Sequence, residues 1–387
     1  MKKTEEKKNT ITPEVPPTPT VPKETGGTIV WEKMLTGLEN CQVNYLLPIP
    51  GGGCILAGYT SLNNSGEKPW IVKINGTGQL EWEFIHEHGT VINIKPVKEG
   101  GYLAVVMAEK IGEDGSKGYV PQFLKLNEPY GLEWESEIGK RDAARPEYVL
   151  NTIDNGFLLA GTFEEEESGE FKVWIRKLDT NGNLQYVKIF GEGDEETIKC
   201  LSSSRDGSLM LGCTLLDDGS FQGWVKKFDL LGNVKWNWPK EGKVKHYMAN
   251  HTHQDNDGSI VLAGTRFVEE ENSWRIWLMK LDSHGKQLWN RLIGAKNNFQ
   301  ASFVSPTPDK GYILTGETWS ESNASQNAIV MKVDSNGSRI WVHTYSKEDN
   351  CVGRAVYPHP EGGYFFVGSV KSSKTGRQAI WLCKLTD

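Results

Sequence analysis

Apolar positions along the chain come in short runs bounded by Gly, Asn and Asp, and the runs return in a fixed wording. A Gly followed by an apolar run, usually closed by a second Gly, reads GCILAG from Gly53, GYLAVV from Gly101, GFLLAG from Gly156, GSLMLG from Gly207, GSIVLAG from Gly258, GYILTG from Gly311 and GYFFVG from Gly363. The anchors are spaced by 48, 55, 51, 51, 53 and 52 residues, which defines a single period. Behind each anchor comes an apolar-Lys-apolar phrase, with Lys73, Lys125, Lys177, Lys227, Lys280, Lys332 and Lys384 at its centre. In most copies an Asp-x-x-Gly turn follows, as at Asp282 to Gly285, and then an aromatic such as Trp82, Trp236, Trp289 or Trp341. No run has helical period. Strand-length segments of Val, Ile, Leu, Trp and Tyr separated by turn residues predict four strands per repeat, joined as an antiparallel meander by tight hairpins.

A four-stranded unit that is apolar on both faces has nothing to cover it when alone, and radial stacking of such units into a ring buries both faces. The sequence therefore predicts an all-β fold, a seven-bladed β-propeller of four-stranded antiparallel blades over residues 27–387. The last repeat stops at WLCKLTD, where the other copies enter their turn and fourth strand, and GGTIVWEKML near the start reads as that missing strand, with Trp31 as its aromatic. The N-terminal strand is thus expected to complete the C-terminal blade and close the ring without a free sheet edge. Residues 1–26, rich in Pro, Thr, Lys and Glu, have nothing to bury and read as a disordered linker or stalk, or as an appended tail.

Bulk properties narrow the function classes. A net charge of −7 and the absence of a Lys/Arg run interleaved with aromatics argue against a nucleic-acid partner. No apolar run approaches a membrane span, and the charged start MKKTEEKKNT is not followed by an apolar segment of an export signal. Six cysteines with no CxxC spacing exclude a disulfide scaffold and a zinc finger. A monomer is expected.

The segments DNGFLLAGT (Asp154 to Thr162) and KLDTNGNLQY (Lys177 to Tyr186) resemble the repeat DGGYILAGxT…WLVKLDSNGNxxW of uncharacterised bacterial and archaeal surface β-propellers, and the likeness covers residues 27 to 387. It implies the fold and a secreted, periplasmic or surface-anchored, lipoprotein-like setting, but no particular reaction. More distantly, Asp282 to Trp289 is similar to the blade ending of PQQ-type and outer-membrane-assembly lipoprotein propellers, with a turn one residue shorter.

Residues recurring in every blade are explained by the fold, so functional candidates are those the repeat does not require. Of 14 Trp, six sit at the fourth-strand position and five stand three residues before the repeated Lys. Trp238, Trp274 and Trp319 remain. They fall on the rim formed by blade-to-blade loops and by the loops between second and third strands, which makes them candidate ligand-binding residues for a glycan or protein partner at blades 4 to 6. The same loops are acidic (EEEESGE from Glu164, DEE from Asp194, VEEEN from Val268), which suggests calcium as the only cofactor to consider, although no Asp-x-Asp-x-Asp-Gly loop exists. His251 and His253 alternate on one strand as weak metal candidates, but His251 counts, from the Gly anchors, into the core slot of Leu46, Ile94 and Val149. Cys200 and Cys213 flank the Asp206-Gly207 turn and form a candidate disulfide in an exported chain, and Cys41 and Cys351 share one slot in neighbouring blades. No nucleophile elbow, phosphate loop or HExxH motif is present, so catalytic residues are not assignable. The expectation is a non-catalytic binding or scaffold module, with a polysaccharide hydrolase or lyase as the alternative.

Overall fold

The apolar runs are strands. The computed structural model describes residues 26–37, 39–62, 66–97, 100–111, 117–127, 131–137, 146–165, 169, 171–180, 182–190, 195–204, 209–217, 220–239, 246–294, 298–320, 323–347 and 350–387. Their strands form seven four-stranded antiparallel sheets arranged as an all-β propeller. Six sheets are built from four consecutive strands each. The first is Asn40–Pro48, Cys54–Ser61, Lys68–Ile74 and Leu80–Ile85, paired in that order. The seventh is composite, taking Asn350–Pro358, Tyr364–Lys371 and Gln378–Leu385 from one end of the chain and Ile29–Leu35 from the other. We number them blades 1 to 7 in chain order. Among the described residues the only helical element is the 3-10 turn Glu269–Glu271, and no helix is long and apolar enough to cross a membrane.

Position within a blade explains the wording of the repeat. Second strands lie between two neighbouring blades and are buried on both faces, so GCILAG-type runs are continuously apolar; fourth strands lie outside, and Leu80–Ile85 alternates. Each core cluster spans two blades: Ile55, Ala57 and Ile71 of blade 1 pack on Val91, Ala104 and Leu124 of blade 2. Blade 7 packs on blade 1 in the same way, through Phe365, Val367 and Leu382 against Leu56, Trp70 and Val72, so the ring is closed.

The fourth-strand aromatic and the turn glycine are partners across blades. Trp31 of blade 7 covers Gly78 of blade 1, Trp236 covers Gly285, and Trp289 covers Gly337, in each case so closely that a Cβ on the glycine would enter the ring. These glycines also have φ near +75 to +79, where a side chain is strained. Gly27 belongs to this set: its φ is 76°, and Trp341 of blade 6 lies over it. In an ordinary copy, Asp282 receives the Lys286 N–H on Oδ1 at 2.9 Å and its carbonyl receives the Gly285 N–H at 3.1 Å. In blade 7, Thr386 receives the Thr28 N–H on Oγ1 at 3.0 Å and its carbonyl receives the Gly27 N–H at 3.1 Å. The two chain ends together rebuild the turn, and Ile29–Leu35 then runs along Gln378–Leu385 with Lys33 opposite Leu382.

The repeated lysines turn inward. Lys177 and Lys227 are 1% exposed, and Lys177 pairs with Asp154 at 2.9 Å, reaching the turn between first and second strands of its own blade. Lys280 to Asp255 (2.8 Å) and Lys332 to Asp309 (3.1 Å) repeat the arrangement.

The cysteine expectations are corrected by register. In blade 4 the first strand Glu195–Ser203 carries a bulge at Lys199, so Ile198 and not Cys200 faces Cys213, while Cys200 faces Gly212. Cys200 is a free buried thiol beside Thr252 Oγ1 at 3.8 Å; the side chain of Cys213 lies outside the described set. Cys41 and Cys351 are likewise free and do not meet, because each is bonded at a different blade junction, Cys41 to Leu35 O and Gln378 O, Cys351 to Gln326 O and Tyr345 O. Burial pushes the Cys41 thiol up to about 12 and raises those of Cys54, Cys200, Cys351 and Cys383. A thiolate-specific disulfide reagent at pH 8 should therefore titrate at most one fast thiol per native chain and all six after unfolding. Two or more fast thiols would contradict the burial.

Candidate functional site

Every first strand carries one bulge at the same level. The extra residues are Asn44, Ile92, Glu147, Lys199, Asn250, Ser302 and Arg354, one per blade. A bulge leaves its extra residue outside the ladder and re-aims the side chain. The second Gly of the anchor motif makes room for it: a Cβ at Gly264 would lie 2.0 Å from Met248 O, and one at Gly316 would lie 1.9 Å from Gln300 O. In these blades the second Gly lets the strands approach at the bulge, although blade 2 carries the same bulge with Val106 at that place and blade 4 with Cys213.

The bulge residues Lys199, Asn250, Ser302 and Arg354, from four consecutive blades, line one cavity of about 400 Å³ together with Gln300, Glu317, Gln326 and Val352. Because innermost strands of successive blades form its wall, the cavity is the axial mouth of the propeller. These residues lie in the early halves of first and third strands and the late half of a second strand, so it opens on the rim of blade-to-blade loops.

Its polar groups are largely uncommitted. Arg354 donates from Nε to Ser369 Oγ at 3.2 Å, which fixes the plane of the guanidinium and leaves both terminal nitrogens free. Asn250 spends its Nδ2 on Ala301 O at 2.7 Å, tying blade 5 to blade 6. Among the described residues the side chains of Lys199, Gln300, Ser302, Glu317 and Gln326 make no hydrogen bond. Arg354 keeps exposed surface in the channel yet is ringed by protein, and this enclosure lowers its pKa while Glu317 opposes the shift. Burial raises the Glu317 carboxyl above the ordinary range, with the Arg354 charge pulling it back.

The sequence-derived tryptophans separate into two groups. Trp238 lies within the fourth strand Val234–Trp238 of blade 4, and its ring packs at 5.4 Å on Trp277, which is fully buried, so the blade 4–5 core accounts for it. Trp274 and Trp319 meet around Asn298, which pairs with Trp319 across the sheet and accepts the Trp274 N–H on Oδ1 at 2.9 Å. Trp319 stands two residues beyond Glu317, hence on the same strand face and one step nearer the rim. Trp274 packs its ring on Phe267, and neither Trp274 nor Trp319 is among the residues that line the cavity.

His251 and His253 do not converge on a metal position. His251 stacks on Phe303 at 4.0 Å, and its Nδ1 accepts the Val304 N–H at 3.4 Å; burial first, then the neighbouring His253, bring it down to about 3, so the ring is neutral. Its slot also needs correction. GSIVLAG is one residue longer between glycines than GCILAG, so counting from Gly258 slips by one, and the register equivalents of His251 are Tyr45, Asn93, Tyr148, Cys200, Phe303 and Ala355. These residues contact the next blade's first strand, as Tyr148 does through Lys199 O at 2.6 Å. His253 lies 3.9 Å from Asp255 in a cavity of about 770 Å³ near the opposite rim. Of the charged groups there, which also include Lys310, Asp255 and Lys280 are the turn staple found in other blades and are already paired, and Asp257 accepts the Ser259 N–H and hydroxyl. No three His, Cys, Asp or Glu side chains converge among the described residues; of the acidic loops considered for calcium, 166–168, 170 and 191–194 lie outside them, while Glu269 and Glu271 pair with His246 and Arg275.

No family model matches the chain, and no curated protein matches it. Solved structures do. The chain is similar to a protein of unknown function from Dyadobacter fermentans (10% identity, TM-score 0.52, 94% of this chain and 99% of that one) and to the Dos1 propeller (12%, 0.50, 85% and 75%). It is also similar to puromycin hydrolase (11%, 0.51, 88%), of which it spans only 53%, about half. At such identities the likeness shows the propeller fold alone.

Proposed function

We propose that this seven-bladed propeller is a non-catalytic binding module of the cell surface or secreted space, and that its ligand, a glycan or a glycan-bearing protein, enters the axial mouth at blades 4 to 7. The observation that carries the reading is the convergence of polar side chains from four blades on one cavity, among which Lys199, Glu317 and the terminal nitrogens of Arg354 have no hydrogen-bond partner among the described residues. Trp319 at the edge adds an aromatic surface on the expected rim. Binding is favoured over hydrolysis because Glu317 is the one carboxylate among the described lining residues, and the nearest bulge carboxylate outside that lining, Glu147 of blade 3, is engaged by the Thr162 N–H at 3.1 Å, whereas glycoside hydrolysis ordinarily uses a pair.

The test is a glycan and peptide array followed by isothermal titration of each hit against wild type, Arg354→Ala and Trp319→Ala. A hit should lose on the order of 10-fold or more affinity in Arg354→Ala, the range for a charged hydrogen bond, with an unchanged melting temperature and no product by mass spectrometry. Hits indifferent to both substitutions would place the site elsewhere, and turnover would make the protein an enzyme.

A further inference from the structure

Resting on that reading of the axial mouth, we infer that the ligand is a saccharide carrying a carboxylate, its acid taken by Arg354 and Lys199 and its hydroxyls by Glu317, Gln300, Gln326 and Ser302. The chain as a whole is negative at −7, yet the described lining of this cavity holds two cations against one carboxylate, and Glu147 at the adjoining bulge is turned to the Thr162 N–H. A local reversal of sign selects anions from solution.

Geometry distinguishes the kind of anion. Arg354 is set by its bulge and oriented by the Nε bond to Ser369, and the neighbouring Gly353 allows the strand to press on blade 6, where a Cβ would strike Thr315 Oγ1. What the guanidinium then presents is its terminal fork, the shape that receives two carboxylate oxygens in parallel. Glu317 argues against a dianion such as a phosphate monoester, because a second negative charge would face it across the same small space.

Glu317 also says what surrounds the acid. It is a partly buried acceptor without a donor among the described residues, and leaving it so costs free energy unless a ligand or water supplies one. Gln300, Gln326 and Ser302 can donate and accept, and so match hydroxyls, which do both. An anion flanked by several hydroxyls on a compact ring fits all of these groups at once, and Trp319, one step outward on the Glu317 face, lies where the next ring of a chain would stack. The volume of about 400 Å³ suits a short saccharide end and not a polymer lying across the rim.

The experiment is titration of the full chain with trigalacturonate, its methyl ester, the neutral trisaccharide of galactose, an aspartyl tripeptide and sodium sulfate at constant ionic strength. Trigalacturonate should bind, esterification should weaken it on the order of 10- to 100-fold, and Arg354→Ala should do the same to the acid while barely affecting the ester. Arg354→Lys should recover only part of the loss, since the fork is gone. Equal binding of ester and acid, both weakened by Trp319→Ala, would overturn the anionic assignment and leave the site standing. Binding of sulfate or the aspartyl peptide as tight as that of trigalacturonate would overturn the saccharide assignment. If none of the five probes binds while array hits ignore Arg354→Ala and Trp319→Ala, both the ligand class and the site fall.

Discussion

A chain lacking residues 27–35 should fail to melt cooperatively and should aggregate at micromolar concentration. The deletion removes the fourth strand of blade 7, and with it the Trp31 edge contact on Phe365 at 5.7 Å, the Glu32 acceptor for Trp381 Nε1 at 2.9 Å and for Lys347, and the Leu35 carbonyl bonded by Cys41. Losing a whole strand and its cross-blade packing exceeds the roughly 5–15 kcal/mol by which domains are stable. It also bares the edge of Gln378–Leu385, whose AIWLCKL is apolar and buried in the intact ring, an invitation to edge pairing between chains. The control is removal of residues 1–24, a Pro/Thr/Lys/Glu-rich stretch with no strand-length apolar run, which should leave the melting temperature nearly unchanged.

Two further constructions separate loss of closure from loss of mere length. A synthetic Gly26 to Leu35 peptide added to the deleted chain should restore a concentration-dependent transition. In a circular permutant, joining Asp387 to Gly26 makes Thr386, Asp387, Gly26 and Gly27 a four-residue turn of the same length as Asp282 to Gly285, and the permutant should melt at least as high as the native order when its new ends lie in an exposed turn. A deleted chain with an undiminished transition would mean that the sheet pairing of Lys33 with Leu382 contributes nothing.

The architecture was readable in the sequence because the interactions that make a blade are local in the repeat. The Lys phrase, the Asp-x-x-Gly turn and the aromatic occupy one contiguous stretch, and their partners recur one period away, as Trp236 and Gly285 show. The axial mouth was not readable for two physical reasons. In blades 4 and 5 the leading Gly lies one residue nearer the bulge than in the other blades, so counting from Gly207 and Gly258 misplaced both by a residue and put His251 in the wrong column. And the site's residues come singly from four blades: Lys199 in IKC, Asn250 in ANH, Ser302 in ASF and Arg354 in GRA each look like one polar interruption of an apolar strand. Only alignment on the bulge shows them as one ring. The leftover Trp319 shares a strand with Glu317, while Trp238 was left over only because blade 4 uses a second aromatic in its junction with blade 5.

Asp255→Ala should be among the most destabilising single changes in the molecule, costing about 3–5 kcal/mol, the range for breaking a buried ion pair by removing one partner. Lys280 and Asp255 have side chains only 15% and 17% exposed, so neither recovers full hydration when the other is lost. Asp255 Oδ2 accepts from Lys280 Nζ at 2.8 Å, from Ser259 Oγ at 3.3 Å and from the hydroxyl of Tyr312, which is 2% exposed and belongs to blade 6. One carboxylate therefore holds a turn of its own blade and clamps the next. The same substitution at Asp154, whose side chain is 43% exposed, should cost less, because water reaches the vacated position. Replacing both partners, Asp255→Leu with Lys280→Met, should cost less than Asp255→Ala, since no charge is then left buried alone, and adding Tyr312→Phe should recover more, because the Tyr312 hydroxyl otherwise loses both its partners. Urea unfolding with a constant slope measures all of these chains, and pairing Tyr312→Phe with Asp255→Ala completes a double-mutant cycle in which Asp255 and Tyr312 should couple by roughly 0.5–3 kcal/mol. An Asp255→Ala cost below about 1 kcal/mol would reduce the staple to an ordinary surface pair, and its recurrence in every charged turn would then need a reason other than stability.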